Sequence, residues 1–398
     1  MTGPLFPLLV ERSPVIERRS GPAGRLPLSA VVLAAGEGTR MRSERPKPLH
    51  RLCGRPMVMH VLDALAELEL DRAVVVVGHG AERVTKALAQ ESPPGLAIEF
   101  VEQVAQRGTG DAAAVAMTGL PSDVDDDIDG GDVVVLPGDT PLLRPPTLAA
   151  LVRHHRRHDA AATVLTAHLE DPTGYGRVVR AKDGRVARIV EERDATGEER
   201  QVGEVNTSVY VFRRSVLAPA LRRLSPDNAQ GEYYLTDVIG VLHDAGYEVS
   251  SLMVDDPMET AGVNDRAQLA VAEAELRDRI NERWMRRGVT MVDPERTYLD
   301  TTVTLDLDVT IFPGVILQGL TSVGAGAEIG PDCQLVDCTV GEGAVVSHTV
   351  GRDAHISAGA VVGPWATLPP GSHVGPGMVT GPCFTGGMDD GDEGEATR

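Results

Sequence analysis

Beyond about residue 300, aliphatic side chains recur at every sixth position: Leu305, Ile311, Leu317, Val323, Ile329 and Leu335. A slip follows, and the register resumes at Val350, Ile356, Val362, Leu368 and Val374, often with glycine next, as at Gly324, Gly330, Gly351, Gly363 and Gly375. Neither an α-helix, with its period of 3.6, nor a strand, with its period of 2, produces this spacing. It belongs to a parallel β-helix, in which each hexad buries one aliphatic residue and stacks on its neighbours. An irregular glycine-rich tail would not hold phase over this distance. Residues 291–380 are therefore expected to form a short left-handed β-helix of hexapeptide repeats, with an acidic, disordered tail at 381–398.

Upstream the pattern differs. Apolar runs at 30–33, 73–77, 98–101, 133–136 and 162–166 alternate with helix-like segments at 57–68, 81–88 and 110–117. This alternation predicts an α/β, Rossmann-like domain over 29–265, with a parallel sheet covered on both faces and ligands at the carboxyl ends of its strands. Leu269, Val271, Ala272, Leu276, Ile280 and Trp284 fall at helical spacing among charges, so 266–290 reads as a linker helix packed on its neighbours. In residues 1–28 the apolar run precedes its charges instead of following them, which argues against a signal peptide, and the segment reads as a flexible N-terminal arm or the product of a wrongly chosen upstream start. The aspartate-rich stretch 123–132 reads as a solvated connection. A net charge of −20 excludes nucleic acid and anionic membranes as the main partner. Cys53, Cys333, Cys338 and Cys383 show no metal-ligand spacing and read as free thiols of a reducing, cytoplasmic compartment.

The segment most directly tied to chemistry follows the first apolar run. Leu33, Ala34, Ala35, Gly36 and Gly38 keep side chains small, so that backbone can approach a ligand closely. Thr39 and Arg40 are then expected to meet phosphate at or near a helix N-terminus. Lys47, held between Pro46 and Pro48, supplies a second cation of restricted reach. Two glycines alone would mark only a tight turn. An Arg and a Lys on the same loop mark a site for a phosphorylated ligand.

Nine segments occur in a fixed order along the chain: Leu-Ala-Ala-Gly-Glu-Gly-Thr-Arg-Met at 33–41, Pro46-Lys47 with Leu49-His50, Gln-Arg-Gly-Thr-Gly at 106–110, Pro-Gly-Asp-Thr-Pro-Leu at 137–142, Pro-Thr-Gly-Tyr-Gly-Arg at 172–177, Ile-Val-Glu at 189–191, Val-Asn-Thr at 205–207, Asn-Ala-Gln-Gly-Glu-Tyr-Tyr-Leu-Thr-Asp at 228–237 and Gly-Val-Asn at 262–264. With the hexads behind them, they resemble the bacterial N-acetylglucosamine-1-phosphate uridylyltransferases, which are usually bifunctional with an acetyltransferase. The resemblance implies a glycosyltransferase-A-like nucleotidyltransferase domain and transfer of UMP from UTP to N-acetylglucosamine 1-phosphate. It implies Mg²⁺ on Asp139 and Asn264, catalysis by Arg40 and Lys47, and a nucleotide site that adds Gln103, Gly108 and Thr109 to the opening loop. Gly138, Gly176, Glu191, Asn206 and Thr207 are implied in the sugar pocket, and homotrimers through the β-helix.

The sequence also departs from that pattern. Asp111 stands where the family commonly has His, so a carboxylate is expected near nucleotide phosphates. Pro137 replaces an aromatic or small residue. In the turn 368–371, Pro369 stands where relatives carry a basic residue, and His348, His355 and His373 lack the context of a catalytic His. The β-helix is thus read as truncated and acetyl transfer as absent. Two alternatives stay open on sequence: another sugar-phosphate nucleotidylyltransferase, and a degenerate binding paralogue.

Overall fold

Four of the runs read as strands are almost purely aliphatic and in the computed structural model are buried on both faces, whereas the run at 98–101, Ile-Glu-Phe-Val, forms a partly exposed edge strand. Residues 26–120 and 131–386 are described. The expected arm up to residue 25, the acidic stretch up to residue 130 and the tail from 387 lie outside the described residues; Asp132, read as the end of a solvated connection, instead opens a strand, buried and paired with Arg156 at 2.8 Å. One nine-stranded sheet holds β1 (Leu28–Leu33), β2 (Arg72–Val77), β3 (Ile98–Glu102), β4 (Asp132–Pro137), β5 (Ala162–His168), β6 (Arg177–Arg180), β7 (Val186–Val190), β8 (Glu204–Arg213) and β9 (Val249–Met253). Its order is β9-β5-β8-β4-β1-β2-β3, with β6 and β7 as a hairpin off β8.

The sheet is mixed, which corrects the all-parallel expectation. β8 runs antiparallel to both β4 and β5, while β1, β2, β3 and β4 pair in parallel. After β5 the chain turns back through the β6–β7 hairpin instead of a crossover helix, so it re-enters the sheet reversed. Alternate residues on each strand serve opposite cores. Val32, Val75 and Leu136 pack with Leu62 and Leu151 on one face, and Val31, Val74 and Val135 pack with Ala113, Ala116 and Leu217 on the other.

The hexad region folds into three five-stranded parallel sheets. Leu305, Val323, Val340, Ile356 and Val374 stack in register down one of them. The slip seen in the sequence is three five-residue steps, Leu335 to Val340, Val346 to Gly351 and Gly351 to Ile356. They change the position that faces inward. Val350 is 55% exposed, and Gly351 takes the core position between Leu335 and Leu368. The expectation that Val350 restarts the buried register is therefore corrected.

The linker helix spans Arg266–Met285, capped by the Asp265 side chain, which accepts from the Gln268 N–H at 2.8 Å. Ile280 and Trp284 enter the β-helix core, whereas Val271, which the periodicity placed inside, is exposed. A tight hairpin at residues 51–56 reaches across to the first coil. The Cys53 N–H donates to Glu273 Oε2 at 2.9 Å, and the Cys53 carbonyl accepts from the Thr301 N–H at 2.9 Å.

Candidate active site

The cleft opens at the carboxyl ends of β1, β3 and β4, where strands stop and loops take over. It encloses about 580 Å³ and is lined by Leu33, Ala34, Ala35 and Gly36 of the opening loop. Arg40, Lys47, Gln103, Gly108 and Thr109 line it as well, as do Gly138, Asp139, Gly176, Glu191, Asn206, Thr207 and Asn264. Of the residues marked from sequence, Gly38, Thr39 and Asp111 are off the wall. The φ of Gly38 is +65°, and a Cβ there would lie 2.6 Å from Lys47 Cβ. Gly38 thus gives the lysine stem its seat.

The loop after β1 departs from expectation in one respect. It makes a single 3₁₀ turn at Thr39–Met41, and the next α-helix begins at Met57. Arg42 turns to φ +48°, and Pro46 and Pro48 have no N–H to carry a helix onward. A second 3₁₀ turn, Lys47–Leu49, sets the lysine.

Positive and negative groups converge at this end of the cleft. Lys47 Nζ pairs with Asp139 Oδ2 and donates to Asn264 Oδ1 at 2.9 Å, and Arg40 Nη2 donates to the same Asn264 oxygen at 2.9 Å. Asp139 and Asn264 are far apart in sequence but joined by the backbone, since the Val263 N–H donates to the Asp139 carbonyl at 2.9 Å. Under them sits an apolar plug of Leu52, Met57, Leu142, Val263 and Ala272. Two oxygens that already share one cation form a donor set suited to a hard divalent ion bound partly by phosphates and water. The described residues hold no cluster of three or more His, Cys, Asp or Glu that could bind a metal by itself.

The wall that holds the residues expected to bind the nucleotide is built around Gly108, whose φ is +108° and where a Cβ would lie 2.5 Å from the Tyr233 carbonyl. Only glycine lets the loop that opens helix Thr109–Met117 lie against the 228–237 segment. Thr109 Oγ1 accepts from the Leu235 N–H at 3.0 Å. Asp111, expected near nucleotide phosphates, is engaged by two neighbours. Its Oδ2 accepts from Gln103 Nε2 at 2.8 Å, and its Oδ1 pairs with Arg107 at 2.9 Å.

The wall that holds the residues expected to bind the sugar depends on an irregularity in β8. The β5–β8 ladder shifts register between Asn206 and Tyr210, and Ser208 takes φ +62°. Such a bulge re-aims side chains, and it sets Asn206 and Thr207 on the cleft. Asn206 Nδ2 donates to Tyr210 Oη at 2.8 Å, while the Thr207 hydroxyl donates to the Leu165 carbonyl at 2.7 Å. Glu191 Oε1 accepts from Thr236 at 3.0 Å. Burial pushes the Glu191 carboxyl up; the Thr236 bond opposes this, and the charges of Asp237, Asp194 and Glu232 add to it. Burial and the Asp139 charge likewise raise Tyr175.

Several lining residues were not singled out from sequence, among them Tyr175, Gln230, Tyr234 and Thr236, which lie inside the quoted segments, and Tyr210 and Thr260, which do not. Arg177, with a side chain 2% exposed, was also missed. It ties the Tyr175 carbonyl to Glu192, which it meets at 2.7 Å. An Arg immediately after Gly-Tyr-Gly was the available signal.

Among the described residues no helix is long and apolar enough to cross a membrane. Residues 30–240 match the family model of the MobA-like NTP transferase domain. The bifunctional protein GlmU of Shouchella clausii is 44% identical over 352 residues, covering 88% of this chain and 75% of that protein. Its namesake in Streptomyces avermitilis is 48% identical, with 88% and 71% covered. That of Mycolicibacterium vanbaalenii is also 48% identical, with 87% and 70% covered. With this cleft, this β-helix and these relatives, the chain belongs to the GlmU family and is a nucleotidyltransferase.

Proposed function

We propose that the protein is a sugar-phosphate uridylyltransferase that transfers UMP from UTP to N-acetylglucosamine 1-phosphate. The products are UDP-N-acetylglucosamine, for peptidoglycan and other envelope precursors, and pyrophosphate. The observation that carries this reading is the meeting of Lys47 and Arg40 with Asp139 and Asn264 at one end of a glycine-lined cleft. That cleft has amide, hydroxyl and carboxylate groups along its other walls.

In this reading a phosphate oxygen of the sugar phosphate attacks the α-phosphorus of UTP, and pyrophosphate departs with the electron pair of the broken bond. The nucleophile is already ionised at neutral pH, so the protein supplies no base. Lys47 and Arg40 release their contacts with Asp139 and Asn264 and bind the phosphates, where their charge offsets the charge that builds in the transition state. Held on restricted stems, they also fix the reacting groups relative to one another. Mg²⁺ on Asp139 and Asn264 would neutralise and orient the phosphates. Gln103, Gly108 and Thr109 hold the base, and Gly138, Gly176, Glu191, Asn206 and Thr207 hold the sugar.

We further propose that residues 1–398 do not carry out acetyl transfer. Pro369 replaces a basic residue, His355 and His373 stack on each other at 4.9 Å, and His348 lies against Trp365 at 4.6 Å. The β-helix is proposed to hold three chains together, a role supported by the exposed Val350 and Trp365 on its outside and tested by sedimentation.

Pyrophosphate release from UTP with Mg²⁺, in the presence and absence of N-acetylglucosamine 1-phosphate, tests the main reading against parallel reactions with other nucleotides and sugar phosphates. Release with that pair alone supports it. Release with a different pair moves the substrate, and no release with any pair overturns the assignment.

A further inference from the structure

We propose that Asp111 sets the base preference of the cleft by locking the orientation of the Gln103 carboxamide. The inference rests on the uridylyltransferase reading above and adds to it a positioning residue outside the cleft wall. Gln103 follows directly on β3 and is 5% exposed. Its Nε2 donates to Asp111 Oδ2 at 2.8 Å and to the Gly108 carbonyl at 3.2 Å. Both partners are acceptors only: one is a backbone carbonyl, the other a carboxylate whose second oxygen is paired with Arg107.

Rotating the carboxamide by half a turn would replace two hydrogen bonds by two contacts between oxygens. In a site this buried, that reversal is strongly disfavoured. Both hydrogens of the Gln103 amide are therefore committed, and the group it has left to offer a ligand is Oε1, an acceptor. A pyrimidine that meets this oxygen with a ring N–H, as uracil does at N3, gains a hydrogen bond. Cytosine presents a lone pair at the same ring position, and lone pair then faces lone pair. Asp111 thereby acts through Gln103 to make the site select a donor. The Arg107 pair, at Asp111's other oxygen, keeps the carboxylate turned to this task.

The test compares kcat/KM for UTP and CTP in the wild-type protein and in Asp111→Asn, with N-acetylglucosamine 1-phosphate and Mg²⁺ in both. An asparagine can donate as well as accept, so it lets the Gln103 amide turn over. The UTP-to-CTP ratio is expected to fall by about tenfold, the worth of one hydrogen bond to a charged group. A merely structural role would lower both values together, and an unchanged ratio overturns the proposal. Asp111→Ser, which also removes the fixed acceptor, carries the same expectation and keeps the test decisive if the asparagine variant folds poorly. A wild-type protein with no preference for UTP overturns the uridylyl reading and this inference with it. A clear wild-type preference that survives both substitutions overturns the Asp111 role alone.

Discussion

Lys47 and Arg40 share the Asn264 oxygen, so each already sits beside the oxygens proposed to hold the metal and phosphates. Lys47→Ala and Arg40→Ala are expected to lower kcat by about 10²–10³, the scale of one lost electrostatic stabiliser, in pyrophosphate-release assays on variants whose circular dichroism is unchanged. Near-normal turnover in either sinks its catalytic role. Glu191 offers a pH test. Its carboxyl is raised in the folded chain, chiefly by burial. The folded state then binds the proton more tightly than the unfolded chain, and ionisation costs folding stability. That cost is absent below the ordinary glutamate range and grows as pH rises through the raised value. Glu191→Gln is therefore expected to melt above wild type near pH 8 and to lose that advantage near pH 4. A gap that does not change with pH overturns the sign. In the sequence Glu191 is marked for the sugar pocket only through the family resemblance; by itself it is one of two adjacent glutamates, and its burial is not legible. Its burial comes from the bulge in β8 and the 228–237 segment, and no local pattern encodes that meeting.

At the scale of the element, the aliphatic strands could be read because a strand buried on both faces must be nearly all Val, Ile, Leu and Ala. Direction could not. The reversal of β8 depends on which strand the chain rejoins, and composition does not carry that. The hexads were legible through Leu335 because each step is six residues. The later five-residue steps moved the inward position from Val350 to Gly351, and a lone glycine gives no hydrophobic signal to follow. A Cβ at Gly351 would lie 3.1 Å from Leu335 Cδ2 and 3.4 Å from Cys338 Sγ. Gly351→Leu is thus expected to destabilise the protein by about 1–3 kcal/mol, as overpacking does in a filled core. Val350→Ala, on the outer surface, is expected to cost far less in paired thermal melts. The reverse order would restore Val350 to the interior.

At the scale of the whole molecule, hairpin 51–56 joins the two halves. Gly54 has φ +84°, and a Cβ there would lie 2.3 Å from Asp300 Cγ. Gly54→Val is expected to lift the hairpin from the first coil and, through Leu52 in the plug beneath Asp139 and Asn264, to lower uridylyl transfer at least tenfold, measured by pyrophosphate release. Full activity in that variant would show that the halves work independently. One residue, His50, separates the Lys47–Leu49 turn from the strand that begins the hairpin, so a ligand that orders Lys47 is expected to tighten the seam with the β-helix. Linkage is reciprocal: with that seam as the coupling, a cleft ligand is expected to raise the temperature at which the β-helix melts, and whatever steadies the β-helix is expected to tighten binding in the cleft by the same factor.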